Sequence, residues 1–430
     1  MAELVEIAAL IVRDAKAGAR ASAALSKALR ERRFGASEAE QLSQLVYGAL
    51  RRERRVTGAL RELAVSPGAS DDERLGVIAA AVLEGSLDVA AARAVSNVVA
   101  WERFGAADRA LLGRVSAEER VALLGALPDW LAAQLCQEYG DQAEALASSL
   151  AEPAPRSLRV NALRTDVEAA LQRLTAEGAQ VTRGRFARRA LRLSGAFNPF
   201  VTRAFHEGLF ELQDEGSQIV CELVAPPPRG LVVDACAGAG GKALALAAQL
   251  EGRGKVLALD IDQRKLGELR HRARRAAAAN VQAIGIDAAG ALPAAIEALA
   301  GKVDRLLVDA PCSGTGVLRR NPEARARLSP EAVDRLALTQ REIIERMLRL
   351  LAPGGRLIFA TCSLLRAEGE ALLDGVEADH PELEPVNLAE VYDRDYVERF
   401  VRSAPHRLRL LPHIHDTDGF FVSCLRRRRH

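Results

Sequence analysis

The spacing of apolar and polar positions changes along the 430-residue chain and predicts two kinds of structure. From Leu4 to about Leu127, apolar residues recur every three to four positions, so that Leu4, Ile7 and Ile11 share one face of a helix. From Leu209 onward, short apolar runs alternate with segments of helical periodicity. That alternation predicts repeated strand–helix units and a doubly wound parallel sheet.

Prolines divide the chain between these two patterns. Pro128 and the stretch Glu152-Pro153-Ala154-Pro155 interrupt it, with a helical connector between them. A short strand, a helix and another strand are predicted at 157–161, 166–177 and 190–193. The sequence therefore predicts three parts: an all-α domain over residues 1–127, a connector helix with a small α/β segment over 128–211, and an α/β domain over 212–430.

The C-terminal part predicts a sheet of parallel strands that ends in a hairpin. Each strand is a short apolar run bounded by turn residues, which is typical of buried parallel strands. The parallel strands are predicted at 231–234, 256–261, 281–284, 305–308 and 356–359. The two final strands, 408–411 and 420–423, read as a hairpin that adds an antiparallel edge.

Charge and cysteine content narrow the class of protein. The chain has 59 Lys and Arg residues against 57 Asp and Glu residues. The resulting net charge of +2 argues neither for nor against a nucleic-acid partner. Locally, Arg51-Arg52-Glu53-Arg54-Arg55 reads equally as a solvated helix end or as a phosphate contact. The six cysteines form no CxxC pair, the start lacks a secretory signal, and no apolar run reaches about 18 residues. We therefore expect a cytoplasmic protein without membrane spans.

Two cysteines stand directly after predicted strands. Cys312 lies in Asp309-Ala310-Pro311-Cys312, after the strand at 305–308, and Cys362 follows the strand at 356–359. A helix predicted between 329 and 351 connects the two strands, so they are expected to be parallel neighbours. Because ligands of such sheets bind beyond the carboxyl ends of the strands, both thiols should open onto one crevice.

A pair of thiols at a ligand crevice suits methylation of cytosine at carbon 5. That carbon is a poor nucleophile until a thiolate adds to carbon 6 of the ring. Asp309 can contact a ring nitrogen and stabilise the charge shift, and a second thiol can assist the final elimination. Methylation of an adenine amino group is disfavoured, since Cys312 takes the place of the aromatic residue that would stack on the base. Chemistry alone leaves open which thiol attacks.

A glycine-rich turn predicts an adenosine-containing cofactor. Cys236-Ala237-Gly238-Ala239-Gly240-Gly241-Lys242 connects a strand to a helix, where glycines admit a ligand close to the backbone. Asp260, at the end of the next strand, is placed to bind ribose hydroxyls. Asp287 reads equally as a ligand of the adenine amino group or as an ordinary helix cap. The spacing Gly238-x-Gly240-x-x-Ala243 also keeps a nicotinamide dinucleotide open.

Several motifs together resemble the Nop2/Sun family of RNA 5-methylcytosine methyltransferases. The helical stretch Leu45 to Arg52 is similar to the NusB-like RNA-binding domain of a bacterial member, and Pro155 to Leu163 resembles the family's middle, RRM-like segment. The family motifs are matched at Leu212-Gln213-Asp214-Glu215-Gly216-Ser217-Gln218, Asp234-Ala235-Cys236-Ala237, Asp309-Ala310-Pro311-Cys312-Ser313-Gly314-Thr315-Gly316, Thr361-Cys362-Ser363 and Asp418-Gly419-Phe420-Phe421.

The resemblance implies a NusB-like domain, a small α/β segment and a Rossmann-like methyltransferase domain that uses S-adenosylmethionine. It assigns Cys362 as the nucleophile and Cys312 to product release, with the cofactor held by residues 236–242, Asp260, Asp287 and Asp309. The implied substrate is one cytosine of 16S rRNA, free or in an early assembly intermediate, and the implied enzyme is a monomer without a metal.

One departure from the family pattern affects the cofactor turn. The family usually has Ala-Ala-Pro-Gly-Gly-Lys-Thr where this chain has Ala237-Gly238-Ala239-Gly240-Gly241-Lys242-Ala243. Loss of the proline is expected to loosen the turn and weaken cofactor binding. A catalytically weak RNA-binding or ribosome-assembly factor is therefore the second hypothesis, and an NAD-dependent dehydrogenase, supported by the glycine pattern alone, is the third.

Overall fold

The computed structural model of the protein describes residues 1–32, 34–63 and 71–429. Close packing divides the chain into two compact units. We call residues 1–153 with 317–330 the helical unit, and residues 154–316 with 331–430 the α/β unit. The three-part division at 1–127, 128–211 and 212–430 stays a prediction.

The helical unit confirms the helical pattern of the first part of the sequence. Its core is aliphatic apart from Trp101 and Phe104, which are buried with ring centroids 5.9 Å apart. Side-chain oxygens of Asp72, Asp88 and Ser116 accept hydrogen bonds from the first turns of three helices. The helices are α1 (Ala2–Lys16), α2 (Ala21–Arg32), α3 (Ala36–Glu62), α4 (Glu73–Leu83), α5 (Val89–Val95), α6 (Trp101–Arg114), α7 (Ala117–Gly125), α8 (Asp129–Tyr139) and α9 (Ala143–Leu150).

A segment from much later in the chain completes the helical unit. Residues 317–330, which include a 3-10 helix at Pro322–Arg327, belong to it by packing. Leu318 is fully buried there. The buried guanidinium of Arg325 donates hydrogen bonds to the carbonyls of Leu50 (3.2 Å) and Leu150 (2.9 Å). We call residues 317–330 the inserted segment; it begins five residues after Cys312.

The α/β unit begins with a four-stranded antiparallel sheet in the order β2-β3-β1-β4. The predicted strands and helix between 157 and 193 are confirmed, and two strands that the sequence did not indicate, β2 and β4, complete the sheet. The elements are β1 (Arg156–Val160), α10 (Val167–Ala176), β2 (Gln180–Arg183), β3 (Ala190–Ser194), α11 (Arg203–His206) and β4 (Phe210–Leu212).

The second sheet of this unit is mixed rather than purely parallel. Its order is β11-β12-β13-β9-β8-β5-β6-β7, with β10 also paired to β13. The predicted parallel strands form the part of the sheet from β9 to β7. Where a two-stranded hairpin was predicted, the structure has four antiparallel strands. The strands are β5 (Leu231–Asp234), β6 (Lys255–Asp260), β7 (Val281–Gly285), β8 (Val303–Asp309), β9 (Leu351–Thr361), β10 (Leu383–Pro385), β11 (Val401–Ala404), β12 (Arg407–Leu410) and β13 (Phe420–Arg427).

Helices cover both faces of the mixed sheet, and the chain reverses direction beside β5. It runs from β5 to β6 and β7, and then crosses back to β8 on the other side of β5. Crevices at such a reversal bind ligands at the carboxyl ends of the strands. The helices are α12 (Glu215–Val224), α13 (Gly241–Gln249), α14 (Gln263–Ala276), α15 (Ala294–Glu297), α16 (Pro330–Leu348), α17 (Glu370–Asp379), α18 (Leu388–Val391), α19 (Arg394–Val397) and α20 (Pro412–His415). Within the described ranges, the search for a helix both long and apolar enough to span a bilayer found none.

Candidate active site

The two cysteines predicted to share a crevice lie side by side. β8 and β9 are parallel neighbours, with Val308 opposite Phe359 and Asp309 opposite Ala360, which confirms the predicted pairing. The loops that follow these strands bring the sulfur atoms of Cys312 and Cys362 to 3.3 Å from each other. Both cysteines are partly exposed. Two thiols at this separation can act on the same small substrate ring.

Glu368, which sequence reasoning missed, holds the Cys312 loop in place. Its buried carboxylate accepts hydrogen bonds from the backbone N–H of Ser313 (2.8 Å), from the hydroxyl of Ser313 and from the amide of Gln340 (3.0 Å). The N–H of Gly316 donates to the carbonyl of Cys362 at 2.9 Å. These bonds fasten the loops of the two cysteines to each other, so their relative position is fixed by the protein.

Two glycines allow a third loop to cross the site. The N–H of Gly419 donates to the carbonyl of Gly316 at 2.8 Å, and a Cβ on Gly316 would lie 2.3 Å from the carbonyl oxygen of Gly419. No other residue type fits at such an approach. The crossing places Phe420, the first residue of β13, beside the side chain of Lys242, whose Nζ lies 5.3 Å from the ring centroid.

Lys242 turns toward Asp309 rather than toward the cofactor. Its Nζ forms an ion pair with Oδ2 of Asp309 at 2.5 Å. Burial lowers the pKa of Lys242, but the attraction of Asp309 outweighs it and the net pKa is raised, so the ammonium group stays charged. The pair therefore places a fixed positive charge beside the carboxylate predicted to contact the cytosine ring.

Several thiols of the α/β unit have a raised pKa. The hydrogen bond with Cys362, followed by burial, raises the pKa of Cys312 well above its usual value. Burial raises the pKa of Cys236 as well, and that of Cys221 to about 12 and Cys424 to about 11. Cys312 is therefore held as a neutral thiol near pH 7, where it can donate a hydrogen bond to a thiolate at Cys362.

A cavity of about 540 Å³ opens at the carboxyl ends of β5, β6 and β8, and Pro311, the residue before Cys312, is part of its lining. Four of the predicted cofactor residues line it: Cys236, Gly238, Asp260 and Asp309. The remaining predicted residues, Ala237, Ala239, Gly240, Gly241, Lys242 and Asp287, are not among those that line it. The apolar wall, which the sequence did not indicate, is made of Ile261, Ile286, Ile343 and Met347.

The glycine-rich turn keeps a defined shape without the family's proline. Gly238 has φ +54° and donates its N–H to Oδ2 of Asp260 at 2.7 Å. Gly240 has φ +85° and begins α13, and a Cβ there would lie 2.0 Å from a side-chain carbon of Leu269. Its N–H donates to the carbonyl of Ala237 at 2.8 Å. The turn is thus ordered by its own hydrogen bonds.

Asp287 lies in the loop after β7 with its side chain exposed. Its backbone carbonyl accepts a hydrogen bond from Arg346 at 2.7 Å, and its neighbours Ile286 and Ala288 line the cavity. In the described part of the chain, no group of three or more His, Cys, Asp or Glu side chains is arranged to hold a metal ion.

The residues around the cavity fit S-adenosylmethionine. The isoleucines provide an apolar slot for adenine, and Asp260 provides acceptors for ribose hydroxyls. Asp234, directly before the lining residues Ala235 and Cys236, is buried, and neither carboxylate oxygen has a hydrogen-bond partner among the described residues. Burial, and then the charge of Asp309, raises its pKa to about 7. Asp234 does not line the cavity, but when it is ionised its negative charge lies close to the lining residues Ala235 and Cys236 and favours a cationic ligand there.

Comparison with protein families matches two parts of the chain. Residues 221–426 match the model described as 16S rRNA methyltransferase RsmB/F. Residues 127–199 match the model of the RsmF/B-like ferredoxin-like domain. The second match covers β1, α10 and the hairpin of β2 and β3, and the first covers most of the mixed sheet, including both cysteines.

Relatives and solved structures extend the similarity. The chain is 33% identical over 311 residues to a probable ribosomal RNA small subunit methyltransferase B from Bacillus subtilis, covering 72% of this chain and 68% of that one. A protein of the same description from Synechocystis is 27% identical over 98% of this chain and 99% of that one. The crystal structure of PH0851 superposes with a TM-score of 0.77 and 25% identity over 99% of this chain and 98% of that one. A methyltransferase homolog from Pyrococcus horikoshii superposes with a TM-score of 0.62 and 27% identity, over 73% of this chain and 100% of that one.

Proposed function

Because this chain belongs to the RsmB/F family of 16S rRNA methyltransferases, we propose that it methylates carbon 5 of one cytosine in small-subunit rRNA, with S-adenosylmethionine as the methyl donor. The observation that carries the proposal is the 3.3 Å separation of the Cys312 and Cys362 sulfurs beside the cavity that suits this cofactor. The helical unit, which resembles a NusB-like domain in sequence, binds RNA in this proposal. The enzyme acts in the cytoplasm as a monomer.

Cys362 attacks the cytosine ring in the first step. Its thiolate forms a bond to carbon 6, and the electron pair of the carbon 5–carbon 6 double bond moves toward carbon 5 and the ring nitrogen. Cys312, held as a neutral thiol, hydrogen-bonds to the attacking thiolate rather than competing with it. The 3.3 Å contact of the two sulfur atoms supports an arrangement in which one thiol attacks and the other donates a hydrogen bond to it, and the family resemblance assigns the attack to Cys362.

Asp309 and Lys242 stabilise the charge that develops on the ring. The Lys242 ammonium group holds the Asp309 carboxylate in one position through their 2.5 Å contact. The ring nitrogen gains electron density when the thiolate adds, so it must receive a proton; in this proposal Asp309, three residues before Cys312, takes the proton of the Cys362 thiol and passes it to that nitrogen. The positive charge of Lys242 lowers the free energy of that addition.

S-adenosylmethionine, when bound, supplies the methyl group to carbon 5, and the electron pair of the broken carbon–sulfur bond stays on its sulfur. The proton on carbon 5 then leaves to a base, the carbon 5–carbon 6 double bond forms again, and the bond from carbon 6 to Cys362 breaks. The thiol of Cys312 donates a hydrogen bond to the thiolate released at Cys362. Cys312 thereby assists product release.

Substitution of each cysteine separates these two roles. We expect Cys362→Ala to abolish methylation of a 16S rRNA transcript, because no thiolate can add to carbon 6. Cys312→Ala should still form the bond to RNA but release it slowly, so that a covalent protein–RNA complex survives denaturing electrophoresis. Cys424→Ala, which removes a buried thiol on β13, is the matched control and should keep turnover. Full turnover in Cys362→Ala would refute the mechanism.

Cofactor binding distinguishes the proposal from the two other hypotheses. Isothermal titration calorimetry of the full chain should detect S-adenosylmethionine binding. No binding of S-adenosylmethionine would favour a catalytically weak assembly factor. Binding of NADH, seen as a change in its fluorescence, would favour a dehydrogenase. Bisulfite sequencing of rRNA from a deletion strain would identify the target cytosine.

A further inference from the structure

A second cavity of the α/β unit, about 240 Å³ in volume, has no part in the mechanism above. It lies between β1, the loop from β2 to β3, α12, α13 and Tyr392. Small apolar side chains form much of its wall: Val160, Cys221, Ala225, Pro226, Ala245 and Ala248. Because one water occupies about 30 Å³ of liquid, the cavity is too large for a single structural water.

Two buried polar side chains of this cavity each leave one atom unpaired. Arg159 is 6% exposed and Gln218 is 2% exposed. Within the described residues, the Nε–H of Arg159 lacks an acceptor and the Oε1 of Gln218 lacks a donor. Both atoms are themselves buried, so each missing hydrogen bond costs about 1–3 kcal/mol.

Other hydrogen bonds fix the orientation of both side chains. The Nη1 of Arg159 donates to the carbonyl of Gly241 at 2.6 Å, and also to the amide oxygen of Gln213. The amide nitrogen of Gln218 donates to the carbonyls of Leu158 (3.3 Å) and Gln213 (3.0 Å). Both side chains are therefore held in a fixed position in the wall of the cavity.

Arginines line the same cavity. Arg188 is exposed, and its guanidinium group lies 4.3 Å from the ring centroid of Tyr392; Arg189 is partly exposed. The carboxylate of Glu222 also lines the cavity, but it accepts hydrogen bonds from the Arg188 N–H (2.8 Å) and from the hydroxyls of Tyr392 (3.1 Å) and Tyr396 (2.7 Å). The two guanidinium groups add positive charge to the cavity, which the single Glu222 carboxylate offsets only in part.

We propose that this cavity binds one unstacked nucleotide of the substrate RNA, apart from the target cytosine. The base packs between the small apolar walls, beside Arg159 and Gln218, and its phosphate contacts Arg188 and Arg189. Proteins that read single-stranded RNA commonly hold splayed bases in this way. The inference rests on the proposed function, because that function makes RNA the substrate.

The position of Arg159 connects this nucleotide to the catalytic site. Its guanidinium group holds the carbonyl of Gly241, and the next residue is Lys242, which pairs with Asp309. A base packed against Arg159 would therefore lie against the side chain whose hydrogen bond holds the backbone next to Lys242. The cavity can position the RNA for methyl transfer.

Binding of mononucleotides tests the site without requiring methylation. The probes are the four nucleoside 5′-monophosphates and inorganic phosphate, titrated by NMR into the full chain with S-adenosylhomocysteine present to fill the cofactor cavity. At least one monophosphate should bind with a Kd below about 10 mM. The variant Ala248→Leu fills the cavity with a larger side chain, and the double variant Arg188→Ala/Arg189→Ala removes the two guanidinium groups. Each should raise the Kd for that monophosphate at least about ten-fold.

The control is Arg183→Ala on the same hairpin, since Arg183 is exposed, pairs with Glu168 and does not line the cavity. This variant should bind like the unsubstituted protein. Equal affinity in all variants, no binding of any monophosphate, or binding of inorganic phosphate as tight as that of the nucleotides would each overturn the proposal. Thermal unfolding shows whether Ala248→Leu folds. If it does not, the binding measured with Arg188→Ala/Arg189→Ala alone decides the test.

Methylation kinetics provide a second readout. With a 16S rRNA fragment, Arg188→Ala/Arg189→Ala should raise KM for RNA about ten-fold and leave the Kd for S-adenosylmethionine unchanged. An unchanged KM for RNA would overturn the proposal. If the unsubstituted protein does not methylate RNA, the proposed function fails, while the mononucleotide titration still decides whether the cavity binds a nucleotide.

Discussion

We expect the carboxyl group of Asp234 to make cofactor binding depend on pH, because Asp234 directly precedes two residues that line the cofactor cavity. With its pKa raised to about 7, the carboxyl is mostly protonated at pH 6 and mostly ionised at pH 8. Only the ionised form attracts a cationic ligand, so we expect S-adenosylmethionine to bind about ten-fold more tightly at pH 8 than at pH 6. Calorimetry across this range measures the effect.

The variant Asp234→Asn removes the titrating group and should give weak binding that does not change with pH. A flat profile in the unsubstituted protein would contradict the prediction. The same pKa affects stability in the opposite sense. Because the folded state binds this proton more tightly than the unfolded chain, the contribution of Asp234 to stability falls as pH rises from about 4 to 7.

The arginine cluster at 51–55 shows what a local sequence cannot reveal. Neither of the two expected readings, a solvated helix end or a phosphate contact, describes it. The guanidinium of Arg55 makes two 2.8 Å hydrogen bonds to the buried carboxylate of Asp108. Arg52 is buried and pairs with Glu84. Their partners lie far along the chain, so charge and spacing alone could not indicate that these arginines stabilise the interior of the helical unit.

The crossing of Gly316 and Gly419 gives a test at the scale of elements. A methyl group on Gly316 would overlap the carbonyl of Gly419 and push apart the loops that hold Cys312 and Phe420. We expect Gly316→Ala to lower kcat at least about 100-fold, because small displacements of reacting groups cost about this much. The Kd for S-adenosylmethionine should change little, since Gly316 does not line its cavity.

A matched control is Gly267→Ala on α14. A Cβ at Gly267 would have no atom within 4 Å, and alanine in a helix is favoured over glycine by about 1 kcal/mol. This variant should keep full activity and gain slightly in stability. Equal activity of the two variants would show that the crossing does not position the catalytic loops.

Most elements that position the cysteines were predictable because their signals are local. The apolar runs before Asp309 and Cys362, and the helical spacing between them, indicate parallel neighbours without any knowledge of distant contacts. The clamp by Glu368 was not predictable, since it joins residues 55 positions apart. The short strands β2 and β10 also gave no signal, because three or four residues are too few to show an apolar period.

At the scale of the whole molecule, the inserted segment was the main feature that the sequence did not predict. Between Cys312 and α16 the chain has no periodic pattern, and the sequence reads as a connection within the α/β domain. In the structure this stretch supplies Leu318 and Arg325 to the interior of the helical unit. A local sequence pattern cannot indicate that a segment packs against residues more than a hundred positions earlier in the chain.

Arg325 allows the inserted segment to be tested in the full chain. Its two hydrogen bonds to the carbonyls of Leu50 and Leu150 are buried, so Arg325→Ala should destabilise the helical unit by about 3 kcal/mol. Hydrogen–deuterium exchange should show faster exchange in α3 and α9. Arg327→Ala, an exposed arginine in the same segment, should leave exchange unchanged. Faster exchange in both variants would contradict the specific role of Arg325.

The inserted segment also determines when this protein can finish folding in the cell. Domains near the amino terminus commonly fold first, while translation continues. Here the nascent helices of residues 1–153 must wait until the ribosome has added residues 154–316 and then the segment itself. Until that moment the surface that receives Leu318 and Arg325 stays open, and chaperones that shield apolar surface have their longest opportunity to bind there.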